Sequence, residues 1–139
     1  MQLAGAIAVK LNELSRQHAG QELKRLDVGV FPWHASIELS LLFVDDDCDE
    51  RDIASWRYYD ASHASAGRWP ETQHLLKQMG DFWLRDAKSS DRIFAAVGGA
   101  MSTPVVQVEL NRFKLLSDVT VTLYDPDNRS SPNYCSQGT

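Results

Sequence analysis

The sequence predicts an α+β fold: a mostly antiparallel sheet of about four strands with three to four helices packed on it. Three observations predict it. Residues 2–18 carry an apolar stripe at helical spacing, and two runs that alternate apolar and polar residues follow in quick succession. Apolar stripes at helical spacing then return before one last alternating run. Strands grouped early, instead of alternating strictly with helices, favour a sheet with helices on one face over a parallel doubly wound fold.

The elements follow in order. Leu3, Ile7, Leu11 and Leu14, widened by Ala4 and Ala8, give the first helix, and Gly20 is its stop signal. Leu26 to Phe31 alternates as a strand that Pro32 ends. Ala35 to Val44 is the clearest strand, with Ile37, Leu39, Leu41 and Phe43 on one face. A short connection joins the two as an antiparallel hairpin. Aromatic density over Ser55 to Tyr59 predicts a third strand, and Ala61 to Gly67 reads as loop. Pro70 opens a helix whose stripe runs through Leu75, Leu76, Met79, Phe82 and Trp83 to about Ala87. Ser89-Ser90-Asp91 caps a short helix over about 92–97, which Gly98-Gly99 is expected to end. Thr103-Pro104 then starts a helix over 104–113, against the β preference of its three valines. Asp118 to Tyr124 alternates as the last strand, and Asp125 to Asn128 is a turn. The segment from Arg129 lacks periodicity and is expected to be loosely held.

At 139 residues, with no visible linker or repeat, the chain reads as one domain, residues 1–139. A content of 43% hydrophobic and 24% charged residues excludes wholesale disorder. The opening residues lack the basic start of an export signal, and no run approaches the ~20 apolar residues of a membrane span, so a cytoplasmic location is expected. Cys48 and Cys135 show no metal-type spacing and read as free thiols. Lys and Arg are scattered, which argues against nucleic acid as a partner, and nothing points to a membrane partner.

The charge itself is concentrated. Residues 45–52 hold six carboxylates, Asp45, Asp46, Asp47, Asp49, Glu50 and Asp52, against Arg51 alone, which equals the net charge of −5; the remaining acids and bases balance at thirteen each. Such concentration costs self-repulsion and can serve to attract a basic partner or an ion. Six carboxylates with one arginine cannot be buried, so the run must be exposed. Trp56, Tyr58 and Tyr59 adjoin it. As an interface, the rings would supply contact area and the carboxylates would capture Lys and Arg; as plain packing, Trp56 and Tyr58 would turn inward and leave Tyr59 to water.

Catalytic and metal templates fit poorly. The strand Leu41–Val44 leading into Asp45 and Asp47 superficially resembles an Asp-nucleophile phosphohydrolase, but Cys48-Asp49-Glu50 stands where a small residue and a glycine turn belong. As a calcium loop, the run has Glu50 where glycine is needed and Trp56 where a bidentate acid is needed. The four histidines share no ligand spacing, and no phosphate-binding or nucleophile-elbow motif occurs. No catalytic residue, metal site or cofactor is therefore assigned.

In size, acidity and layout the chain resembles the small cytosolic immunity proteins of bacterial polymorphic or type VI-delivered toxin systems. The segments that carry the resemblance are Leu41–Asp47, Trp56-Arg57-Tyr58-Tyr59 and Val121–Asp127. It implies stoichiometric inhibition of a cognate toxin, a basic protein whose anionic substrate the carboxylates would mimic. The expectation is a non-enzymatic protein-binding module that uses Asp45, Asp46, Asp47, Asp49, Glu50, Asp52, Trp56, Tyr58 and Tyr59. The alternatives are a Mg-dependent phosphohydrolase using Asp45 and Asp47, and a non-catalytic oligomeric or regulatory subunit; homo-oligomerisation is left open.

Overall fold

The computed structural model describes residues 2–64 and 69–136. Helix α1 (Leu3–Gln17) leads through Gly20, in the left-handed region at φ +85°, into strand β1 (Glu22–Phe31). A 3₁₀ turn at Pro32–His34 returns the chain as β2 (Ser36–Phe43). The segment 44–60 follows, then a single helical turn α2 (Ala61–Ala64), a 3₁₀ turn at Pro70–Thr72, and α3 (Gln73–Arg85). Helices α4 (Ser90–Met101) and α5 (Pro104–Leu110) precede β3 (Lys114–Thr122). The class is α+β as expected.

The sheet differs from the expectation of four mostly antiparallel strands. Among the described residues it has three strands in the order β2-β1-β3, with β1 antiparallel to β2 and parallel to β3. Residues 55–59 do not form a strand. They contribute one bridge between Leu41 and Tyr58, and the Ser62 hydroxyl accepts from Leu39 N at 3.0 Å to complete the edge of β2. A 3₁₀ turn at Ile53–Ser55 precedes this stretch and Asp60, in the left-handed region at φ 50°, follows it, so what lies between is too short for a ladder. Among the described residues five helices form where three to four were expected, because residues 61–64, read as loop, make α2; residues 65–67 of that expected loop lie outside the described residues.

The core lies between one sheet face and the helices. Leu23, Leu26, Val28 and Val30 of β1 and Ile37, Leu39, Leu41 and Phe43 of β2 meet Ile7, Leu11 and Leu14 of α1 there, all essentially without exposure. Trp69 is buried among them and its Nε1 donates to Ala6 O at 3.0 Å, which ties the chain after α2 to the first helix. Asn12 donates to Glu109 at 2.9 Å, joining α1 to α5.

A bulge shapes β1. Leu23 pairs with Phe43 and Arg25 with Leu42, so Lys24 is the extra residue. The bulge keeps Leu23 and Leu26 both buried, and Lys24 and Arg25 fall in succession on the sheet face away from the core, where Asp27 also lies.

Two further expectations are corrected. Helix α4 runs through Gly98-Gly99 to Met101 instead of stopping. A Cβ on Gly98 would sit 2.5 Å from Tyr134 O, so this glycine serves close approach of the 129–136 segment, not termination. That segment, expected to be loosely held, is tied down as far as residue 136: Asn133 Oδ1 accepts from Leu123 N at 2.9 Å, its Nδ2 donates to Val121 O at 3.0 Å, and Tyr134 stacks on Phe94. Among the described residues, no single helix is long and apolar enough to cross a membrane.

Candidate functional site

The acidic segment begins where β2 ends. Val44 N donates to Glu22 O at 2.9 Å, fixing the exit from the strand against the start of β1. Asp46 closes the next turn on itself: its N–H donates to Phe43 O at 3.0 Å and its Oδ2 accepts from Phe43 N at 2.9 Å. One of the six carboxylates is thus engaged in turn formation. Asp49 Oδ1 accepts from Arg51 N at 2.9 Å and lies 3.4 Å from Arg51 Nε. The backbone N–H, more than the guanidinium, holds the Asp49 carboxyl below its ordinary value.

The far end of the segment is anchored by the two cations that the β1 bulge presents. Lys24 Nζ pairs with Glu50 at 3.1 Å, and Arg25 Nη1 reaches Glu50 O at 3.4 Å. The Arg25 guanidinium lies 5.3 Å from the centre of the Trp56 ring, its Nε donates to Thr122 Oγ1 at 3.1 Å, and its Nη2 is 3.7 Å from Asp27 Oδ1. The Asp27 carboxyl, buried beneath this group, is pushed up by desolvation, against the opposing pull of the Thr122 hydroxyl at 2.7 Å and of Arg25.

Between these anchors Asp45, Asp47 and Asp52 are exposed, and their carboxylates make no hydrogen bond or ion pair among the described residues. Cys48 sits half-buried among them. Its thiol is pushed up by desolvation first and then by Asp46, Asp47 and Asp49.

The three aromatics separate. Trp56 is only 3% exposed, so it cannot be a free interface anchor; that part of the expectation is corrected. Tyr58 is half-buried, with its ring 4.5 Å from His18 and 5.5 Å from Phe43. Tyr59 is 40% exposed and donates to Glu38 Oε1 at 2.6 Å, a bond that pushes its phenol up to about 12. Packing against the sheet thus accounts for Trp56 and Tyr58, and Tyr59 alone faces outward.

Beside Tyr59 the outer sheet face forms a shallow cleft of about 280 Å³, bordered by Glu38, Ile53, Ala54, Tyr59 and Tyr124 with Asp27 in its lining. Gly29 floors it; a Cβ there would meet the Phe31 ring at 2.9 Å. Glu38, Val44 and Tyr124 were missed as candidate surface residues. Val44 and Tyr124, just beyond the ends of β2 and β3, are each 44% exposed, and only the polar face of β2 in the sequence pointed to Glu38.

The arrangement can attract and hold positive charge. Among the described residues, no group of three or more His, Cys, Asp or Glu side chains is placed to hold a metal ion. Comparison with known proteins finds no matching family model, no similar curated protein and no similar solved structure.

Proposed function

We propose that the chain is a protein-binding module that captures a basic partner through residues 45–52, in the manner of an immunity protein that neutralises a cognate toxin. The observation that carries this reading is the anchoring of the acidic segment at both ends. Asp46 closes it against β2, and Lys24 and Arg25 hold Glu50 and Trp56, so Asp45, Asp47 and Asp52 are presented to solvent from a fixed base. A charge cluster held in place loses less entropy on docking than a mobile one and steers encounter by its field. The contact surface would extend over Tyr59, Glu38 and Tyr124, where one phenol–carboxylate pair and a second ring offer both apolar area and an acceptor.

The test starts with co-purification of the partner from the native host, followed by association kinetics at several salt concentrations. Replacing Asp45, Asp46, Asp47 and Asp49 by Asn keeps an acceptor at each turn position while removing four charges. This variant should associate at least about tenfold more slowly at low salt, with a flatter salt dependence. Tyr59→Ala should act chiefly on the off-rate, and Trp56→Ala should act on folding. A fourfold variant that associates like the parent at low salt would reduce the segment to a solvated turn.

A further inference from the structure

Helix α3 has no fully buried residue, although its stripe of Leu75, Leu76, Met79, Phe82 and Trp83 is apolar enough for a core helix. Trp83 leans toward Trp33, and Gly80 approaches Ala35, where a Cβ would sit 3.1 Å from the Ala35 methyl. The other side of the stripe lines an open groove of about 620 Å³ between α3 and α4, floored by Ile37 of β2 and Leu3 of α1. Its walls are Leu75, Met79 and Phe82 from α3 and Ile93 and Val97 from α4.

The two charged side chains of the groove that lack a partner among the described residues are both cations. Arg85 is the last residue of α3, and Arg92 lies in the first turn of α4, so both stand at the end where residues 86–89 connect the helices. Neither makes an ion pair or side-chain hydrogen bond among the described residues. Asp81 also borders the groove, but its carboxylate is engaged by Lys77 at 3.2 Å, and Asp86 and Asp91, the nearest acids in sequence, are not within ion-pair distance of either arginine.

We propose that this groove binds an amphipathic anion of one alkyl chain, a medium- to long-chain carboxylate whose tail lies on Leu75, Met79, Phe82, Ile93 and Val97 and whose head group is held by Arg85 and Arg92. The volume falls within the ~300–1,000 Å³ of small-molecule sites, and an apolar wall with a few convergent charged groups is their usual lining. An alkyl chain with an anionic head matches an apolar lining that carries two cationic side chains at one end. Guanidinium forks match carboxylate geometry, and neither arginine has a partner among the described residues to give up on binding. The site is separate from residues 45–52, and neither proposal depends on the other.

Titration calorimetry of the full chain with dodecanoate below its micelle concentration tests this, with dodecyltrimethylammonium as the head-group control and acetate as the tail control. Dodecanoate should bind one per chain, and both controls should bind at least about tenfold more weakly. Arg85→Gln with Arg92→Gln, both exposed positions, should weaken dodecanoate about tenfold. Ala96→Trp, at an exposed α4 position lining the groove, should abolish binding by filling it. Absence of saturable binding would overturn the proposal, as would equal binding of the cationic surfactant or binding unaffected by the arginine pair. Size-exclusion showing a dimer that Ala96→Trp dissociates would overturn it too, because a second copy would then be the occupant.

Discussion

Helix α1 buries Ile7, Leu11 and Leu14 completely in the core it shares with the sheet, whereas α3, with an apolar stripe of comparable width, buries no residue fully. The two helices have similar spacing patterns but different cover. Helix α1 lies over the paired strands and is tied to α5 through Asn12 and Glu109. Helix α3 meets the body of the protein mainly at the 3₁₀ turn before β2 and stands apart from α4, leaving a groove. An amphipathic stripe thus states a capacity for burial, and topology decides whether that capacity is used.

Substitution within the two stripes gives the largest expected contrast. Leu11→Ala, at a position without exposure, should cost about 2–5 kcal/mol in urea unfolding, because the cavity sits between helix and sheet and cannot collapse. A loss near zero would show that α1 is covered no better than α3. Gly98→Ala asks whether the last segment covers α4 as tightly as the sheet covers α1. The new methyl would clash with Tyr134 O, so a loss of about 1–3 kcal/mol is expected, together with faster proteolysis beyond Asn128. Phe82→Ala, in the partly covered stripe, should cost less than Leu11→Ala, under about 2 kcal/mol, since part of its ring is already in contact with water.

Two smaller effects sharpen the same contrast between covered and open regions. The fourfold Asn variant of Asp45, Asp46, Asp47 and Asp49 should leave stability within about 0.5 kcal/mol of the parent, since those side chains lie on the open side and keep their acceptors. At neutral pH, Cys135 should contribute no pH dependence. Burial, with Asp27 nearby, pushes its thiol from 9.0 to about 12, so the folded chain keeps a proton that the unfolded chain releases above 9. Stability should therefore fall as pH rises through that window, with Tyr59 adding to the fall above its ordinary value of 10.0. Urea midpoints from neutral to strongly alkaline pH should show a shallower decline in Cys135→Ala.

Periodicity was a sound guide where a segment is buried on one side along its length. It located α1 and the inward face of β2, Ile37, Leu39, Leu41 and Phe43, because those side chains meet a continuous partner surface. It missed the first residues of β1 because the bulge at Lys24 sets two cations side by side on one face and breaks the period of two. It misread residues 55–59 because aromatic content reports packing, and Trp56 packs under Arg25 without joining the ladder. Gly98 looked like a helix stop; its reason, a carbonyl of Tyr134 from the far end of the chain, is invisible locally. The charge of the acidic segment was legible from the order of residues 45–52. Its anchoring was not, since Lys24 and Arg25 reach Glu50 only through the hairpin.

The parallel pairing of β1 with β3 also sets an order of events during synthesis. Lys114 is the register partner of Glu22, so one edge of the central strand stays open until nearly the whole described chain has left the ribosome. The hairpin of β1 and β2 with α1 can assemble early from neighbouring segments, whereas the second edge waits for a distant one. During that interval the bare edge of β1 is a template for another chain, and the charged side chains of Glu22, Lys24, Arg25 and Asp27 on that strand work against such pairing.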